Sequence, residues 1–249
     1  VPSNIDHQLS NLITFAKRRK MNIKILQLLE GAQNALGLTV IIDVFRAFTT
    51  ACYAFDLGAS KIIPVGDIGQ AWQLKEQNPA FILMGERNEK KPEGFDFGNS
   101  PSQLIAEKIN GKTIIHTTSS GTQGIVNATC ADEIITGSFV NAGAIIRYIR
   151  KKQPAAVSLV CMGYACQYPT DEDTLCAEYI KNNLEGIPAD FENMVQQIRK
   201  GSGARFFDPE NQDWSPQSDF DLCLRLNTFN FVLKVEKEDG LNFLQKINC

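Results

Sequence analysis

From Met21 onward, short runs rich in β-branched residues alternate with stretches of helical periodicity. The pattern predicts strands over 23–28, 39–44, 61–65, 81–84, 113–116, 133–136, 156–161 and 229–235. It predicts helices over 47–57, 68–76, 101–109, 122–127, 139–152, 171–184, 190–200 and 218–226. Gly58 and Gly186 fall where helix C-caps belong. Strand–helix alternation through most of the chain predicts a layered α/β/α fold with a largely parallel or mixed sheet. Residues 21–249 form one α/β domain with room for two subdomains, and residues 1–20 read as an appendage, a native extension or a cloning remnant. In that stretch the basic cluster Arg18-Arg19-Lys20 follows the apolar residues, the reverse of a secretion signal. Two connections stand out. Residues 85–100 are long for such a fold, which makes them a suspected site. Residues 199–217 are rich in Gly, Pro and Asp and read as a mobile surface segment.

The same patterning excludes whole classes. The most apolar stretch, 38–59, is broken by Asp43, Arg46 and Asp56, so no run spans a bilayer. Lys+Arg number 25 against 28 Asp+Glu, so no excess of basic charge supports nucleic-acid binding as the main role. The 43% apolar content excludes a disordered chain. Seven cysteines occur with no C-x2-C, as expected of reduced thiols in a cytoplasmic protein. His7 and His116 are the only histidines. A histidine-rich dinuclear centre is therefore excluded, and a Ser-His-Asp triad is disfavoured. Any metal would be oxygen-bound: Mg²⁺, Mn²⁺ or Ca²⁺.

Ligands of open α/β sheets bind at the carboxyl ends of strands, so each strand end is a candidate. Asp43 lies in an apolar run, with Arg46 three residues on. They could be a buried ion pair, or an acid for a metal beside a fork for an anion. Glu86 and Arg87 follow the 81–84 strand and could simply be solvated turn charges. Gly94 to Pro101 ends in Ser100 and Pro101, a plain helix start preceded by more Gly, Asp and Asn than a cap needs. His116 to Thr122 offers four consecutive hydroxyls and Gly121 before a helix, which suits an anion cradle or an ordinary hydroxyl-rich turn. Asp171, Glu172 and Asp173 open a helix; they offset its dipole, and they also suit a hard cation. The chain has no Walker A loop, no C-x5-R, no R-H-G and no D-x-D-x-T. Together the strand ends point to one crevice for an anionic substrate and a Mg²⁺ ion.

Four blocks, in order, resemble the 2-phosphosulfolactate phosphatases, the ComB-like family. D-V-x-R-A-x-T-T is similar to Asp43–Thr50, and G-E-R with G-F-D-x-G-N-S-P to Gly85–Arg87 and Gly94–Pro101. T-T-x-N-G-T is similar to Thr117–Thr122, and E-D-x-x-C-A to Glu172–Ala177. Ser120 stands where the family usually has Asn. The resemblance implies Mg²⁺-dependent hydrolysis of (2R)-2-phospho-3-sulfolactate, a small anionic phosphate ester, to 3-sulfolactate and phosphate. In methanogens that step leads toward coenzyme M. A homodimer is compatible with it. Read this way, Asp43, Glu172 and Asp173 hold the metal, Arg46 and Arg87 neutralise phosphoryl charge, and Glu86 orients or deprotonates a water. Asp96, Asn99, Ser100, Thr118, Ser119, Ser120, Gly121 and Thr122 contact substrate. Water, Asp43, Ser100 and Cys176 remain open as nucleophile, with Cys176 read as a packed helical thiol. The alternatives are a phosphatase acting on another small organophosphate acid, or a non-catalytic anion-binding α/β protein.

Overall fold

The computed structural model describes residues 21–249; the appendage at 1–20, with His7 and the Arg18–Lys20 cluster, lies outside the described residues. Nine strands form one sheet: β1 (Asn22–Gln27), β2 (Gly37–Ile42), β3 (Lys61–Pro64), β4 (Ile82–Gly85), β5 (Thr113–Thr117), β6 (Ala131–Gly137), β7 (Ala156–Cys161), β8 (Phe231–Glu238) and β9 (Leu241–Asn248). Their order is β1-β7-β2-β6-β8-β9-β3-β5-β4. β1, β7, β2 and β6 make one parallel block, and β3, β5 and β4 make another. The antiparallel hairpin β8–β9 joins them, pairing with β6 on one side and touching β3 at Ile62–Leu244 on the other. The layered α/β fold with a mixed sheet is thus what the alternation predicts.

Among the described residues nine α-helices connect the strands: α1 (Leu28–Gln33), α2 (Ala47–Asp56), α3 (Ile68–Gln77), α4 (Ala106–Ile109), α5 (Gly121–Asn127), α6 (Ala142–Lys152), α7 (Asp171–Glu185), α8 (Phe191–Lys200) and α9 (Gln217–Cys223). Local chemistry fixes several ends. The side chain of Asp67 accepts from the Gln70 N–H to start α3, and Asp190 accepts from Asn193 to start α8. Gly186 ends α7 in the left-handed conformation. Where one helix is expected over 101–109, a 3-10 turn (Pro101–Gln103) and the short α4 stand instead.

Strand alternation sorts side chains into separate cores. Ile41, Val160, Ile62, Ile114 and Met84 face one cluster with α2 and α5. Their neighbours Val40, Ile42 and Leu159 face a second with α6, α7 and α8. Ile63, Ile115 and Leu83 face a third with α3. The first core is shared by both parallel blocks, so α2 and α5 are packed between them. A one-residue register slip would exchange these faces, and each misplaced isoleucine would forfeit about 1.5–3 kcal/mol of burial. No helix of the described residues is long and apolar enough to cross a membrane.

Candidate active site

The strand ends of both blocks meet at one cleft. It is lined by Asp43, Phe45 and Arg46 after β2, by Glu86, Asn88, Glu89 and Asn99 after β4, by Ser119 and Ser120 after β5, and by Gly163, Tyr164 and Ala165 after β7. Arg205 completes it. The cleft is small, with about 40 Å³ of free space between these side chains.

Asp43 follows β2 directly, and the Ala47 N–H at the start of α2 donates to its Oδ1 (3.0 Å). Burial pushes its carboxyl up to about 7, and the nearby charges of Glu86 and Glu172 push the same way. Gly121 makes this approach possible. A Cβ there would lie 2.8 Å from Asp43 Oδ2 and 2.7 Å from Ala47 Cβ, so α5 can begin against the carboxylate only without a side chain.

Arg46 is not paired with Asp43. Its Nη1 donates to Asp219 Oδ2 (2.7 Å) and to the Trp214 carbonyl (2.6 Å), and its Nη2 to the Glu89 carbonyl (3.3 Å). Arg46 and Asp219 are both buried, at 3% and 0% side-chain exposure. Asp219 Oδ1 also accepts from Ser100 Oγ (2.9 Å) and the Ser102 N–H (3.0 Å). Ser100 therefore supports the partner of Arg46 and does not line the cleft. Nothing near Arg46 in the chain announces Asp219, since their contact spans 173 residues.

Two carboxylates knit the strand-end loops together. Asp173 accepts from the Val44 N–H (2.8 Å) through Oδ1 and from the Gly163 N–H (2.9 Å) through Oδ2, tying the β2 loop to the β7 loop. Burial, then the charges of Glu172 and Asp43, push its carboxyl well up. Glu86 accepts from the Ser119 N–H (2.6 Å) through Oε1, and from the Glu89 N–H (2.9 Å) and Ser119 Oγ (3.2 Å) through Oε2. It ties the β4 loop to the β5 loop. Asp173 is buried beneath the cleft, whereas Glu86 lines it.

Glu172 lies beside Asp173 at 2% exposure and accepts from the Ser202 hydroxyl. Burial pushes its carboxyl up, while Arg205 and Ser202 pull it back. These partners belong to the segment expected to be mobile. Instead Ser202–Phe207 forms a 3-10 helix, Phe206 is fully buried against Phe45 (4.7 Å between rings), and Arg205 reaches the cleft. Arg205, Glu89 and Asp219 are charged groups of the site that the sequence does not single out. The one local signal is aromatic: Phe206 and Phe207 are apolar residues a solvated segment has no use for.

The hydroxyl turn directs its donors inward. Thr118 and Thr122 bond one another, with Thr118 N–H to Thr122 Oγ1 at 2.9 Å and Thr122 N–H to Thr118 Oγ1 at 3.2 Å. The Ser119 N–H is held by Glu86, the Gly121 N–H faces Asp43, and Ser120 Oγ accepts from the Cys166 N–H (3.2 Å). Two of the N–H groups of the expected anion cradle thus face the buried carboxylates of Glu86 and Asp43. Asn99 reaches the cleft, with its Oδ1 3.2 Å from Nε2 of the buried His116.

Arg87 and Asp96 lie away from the cleft, and Cys176 is the packed thiol expected of it. Arg87 folds back on the backbone carbonyls of Glu86 (2.6 Å) and Gly66 (3.4 Å) and on Thr117 Oγ1 (2.8 Å), and does not line the cleft. Asp96 accepts from the Leu83 N–H (2.9 Å) and pairs with Lys75 at the surface. Cys176 packs in the second core, where burial pushes its thiol well up.

The donor set suits a hard cation. Asp43, Glu86, Glu89, Glu172, Asp173 and Asp219 stand against Arg46 and Arg205, and Arg46 is already matched by Asp219. Asp173 has both oxygens engaged by backbone N–H groups, and burial and the charge of Glu172 push up the Asp43 carboxyl, so Asp43 and Glu172 are neighbouring acids that a cation would relieve. Among the described residues no three His, Cys, Asp or Glu side chains gather at ligand spacing. Mg²⁺ does not require three, because it commonly uses one or two carboxylates with water and phosphate.

Comparison with known proteins adds an independent line. A family model described as 2-phosphosulpholactate phosphatase matches residues 24–238. A protein of Thermotoga petrophila named probable 2-phosphosulfolactate phosphatase is 41% identical over 174 residues, 66% of this chain and 74% of its own length. One of the same name from Caldanaerobacter subterraneus subsp. tengcongensis is 33% identical over 214 residues, 79% of this chain and 87% of its own. Another, from Bacillus subtilis, is 32% identical over 206 residues, 82% of this chain and 88% of its own.

Proposed function

The chain belongs to the 2-phosphosulpholactate phosphatase family, and from that premise we propose that it is a Mg²⁺-dependent phosphoric monoester hydrolase whose substrate is (2R)-2-phospho-3-sulfolactate. The observation that carries the reading is the buried acid cluster around Asp43, facing Arg46 and Arg205 across a small cleft. Six acids brought to one place with two arginines are costly unless a cation and an anion complete the site.

Phosphoryl transfer is mainly positioning and charge stabilisation. Asp43 and Glu172 would hold Mg²⁺, which when bound draws charge from the phosphoryl oxygens. Arg46 is fixed by Asp219 and the Trp214 carbonyl, so its guanidinium meets the phosphoryl group without reorganising. Glu86 is fixed on three sides yet lines the cleft, where it can accept the proton of an attacking water. Asn99, held by His116, presents its amide N–H groups to the ester.

The test is phosphate release from 2-phospho-3-sulfolactate. Turnover is expected with Mg²⁺, none in excess chelator, and recovery on adding Mg²⁺ back. Undiminished release in chelator would remove the metal from the reading. No release from this ester or from 2-phospholactate would remove the activity.

A further inference from the structure

Two arginines line the cleft, and they are held in opposite ways. The Arg46–Asp219 pair is desolvated, at 3% and 0% exposure, and cannot exchange partners cheaply. Arg205 pairs with Glu89, Nε to Oε1 at 3.1 Å, and these side chains are 20% and 18% exposed. The contact lacks hydrogen-bond alignment, since the buried Arg205 Nε has no hydrogen-bond partner, so another carboxylate that approaches in line can replace Glu89.

We propose that Arg205 receives the substrate's non-transferred anionic group, and that the Glu89 carboxylate holds that position until substrate arrives. This rests on the phosphatase reading and names the specificity residue within it. The guanidinium of Arg205 has supports that survive loss of Glu89. It lies 5.0 Å from the Phe206 ring centre, 5.6 Å from that of Phe45 and 5.9 Å from that of Tyr164, and its Nη1 donates to the Ser202 carbonyl (3.3 Å). The Glu89 backbone is fixed too: its N–H is bound by Glu86 and its carbonyl by Arg46. Its φ of 67°, next to 51° at Asn88, is a left-handed conformation that only such anchoring sustains. The main chain is therefore pinned while the carboxylate is free to swing away; its other contact is Ser215 Oγ at 3.3 Å. A phosphorylated 2-hydroxy acid carries a carboxylate of the same chemistry, one carbon from the ester carbon. With Arg46 committed to the phosphoryl group, Arg205 is the remaining arginine on the cleft to meet that charge.

The test compares 2-phospholactate with isopropyl phosphate, the same ester with a methyl in place of the carboxylate. Arg205→Lys is expected to lower the ratio of their kcat/KM values about tenfold or more, mainly through the KM of the acid. Glu89→Gln should raise that ratio several-fold by removing the competing carboxylate. A ratio unmoved by both changes overturns the proposal, and so does a similar rise in KM from both, which would mark the pair as a brace. Should Arg205→Lys fail to fold, Glu89→Gln decides alone by the same ratio. Should the wild type hydrolyse neither ester, the phosphatase reading stands or falls separately on 2-phospho-3-sulfolactate. Calorimetric binding of lactate then decides: weakening by Arg205→Lys supports the assignment, and unchanged affinity overturns it.

Discussion

The β2/β7 side of the cleft and the β4/β5 side are built on the same device and use it differently. Each ties two strand-end loops through one carboxylate that accepts backbone N–H groups from both. On the first side that carboxylate, Asp173, is sealed below the surface, and a separate acid, Asp43, faces the cleft. On the second side Glu86 does both jobs. An acid that only braces can be hidden, whereas one that also lines the cleft must keep a side open to it.

Exchanging acid for amide should separate the two roles. Glu86→Gln is expected to lower kcat by about 10³-fold with a melting temperature only a few degrees lower. Asp173→Asn should do the reverse. It points an NH₂ at backbone donors and should lower the melting temperature by roughly 6–10 °C, with kcat of the folded fraction within about tenfold of wild type. Equal effects on rate and melting from both variants would erase the distinction. Thermal melts and steady-state rates on the same preparations read it directly.

The two sides should also answer acid in opposite directions. His116, fully buried on β5, is held at about 3 by burial, well below its ordinary 6.5. The unfolded chain binds that proton first, so its contribution is complete above about pH 6.5 and is lost as pH falls toward 3. At most this amounts to about 5 kcal/mol. Asp43, raised to about 7, acts the other way: its contribution is complete below about 3.8 and is lost as pH rises through 7. His116→Gln should therefore show a flatter fall in melting temperature between pH 6.5 and 4 than the wild type. An unchanged slope would place the acid sensitivity elsewhere.

The smallest expected difference concerns the two arginines that follow strand ends. Arg46→Lys loses the fork that spans Asp219 and the cleft and should lower kcat by about 10²-fold. Arg87→Lys loses bonds to carbonyls and Thr117 and should lower melting by about 2–4 °C, with kcat within a few-fold of wild type. A large kcat loss in Arg87→Lys would bring that residue back into the chemistry.

In sequence the two arginines look alike, each beside an acid and a strand end, and this shows where reading a chain stops. Asp43, Arg46, Glu86, Asn99, Ser119 and Ser120 were legible because strand ends of a parallel block converge, and all six line the cleft. What the chain cannot display locally is the partner: Asp219 for Arg46, Glu89 for Arg205, and the N–H donors that the hydroxyl turn gives to Glu86. The fold divides in the same manner. Seven parallel strands are announced by β-branched runs between helices. The ninth strand has no β-branched run to announce it, and its signal is the turn: Asp239 and Gly240, both left-handed between alternating residues, mark a hairpin. Helix α1 is one short turn-and-a-half continuing an apolar strand, with no change of period to betray it.

The hairpin has a consequence for how the protein is made. Among the described strands, residues 231–248 make the hydrogen-bonded link between blocks whose own strands all lie before residue 162. During synthesis both half-sheets can form while β6 and β3 still present bare edges, with nearly seventy intervening residues yet to be translated. At a ribosomal rate of about 5–20 residues per second, that leaves the edges unpaired for seconds, the interval in which edge strands recruit wrong partners. Nascent chains of this protein should be most in need of a chaperone just before their last two strands emerge.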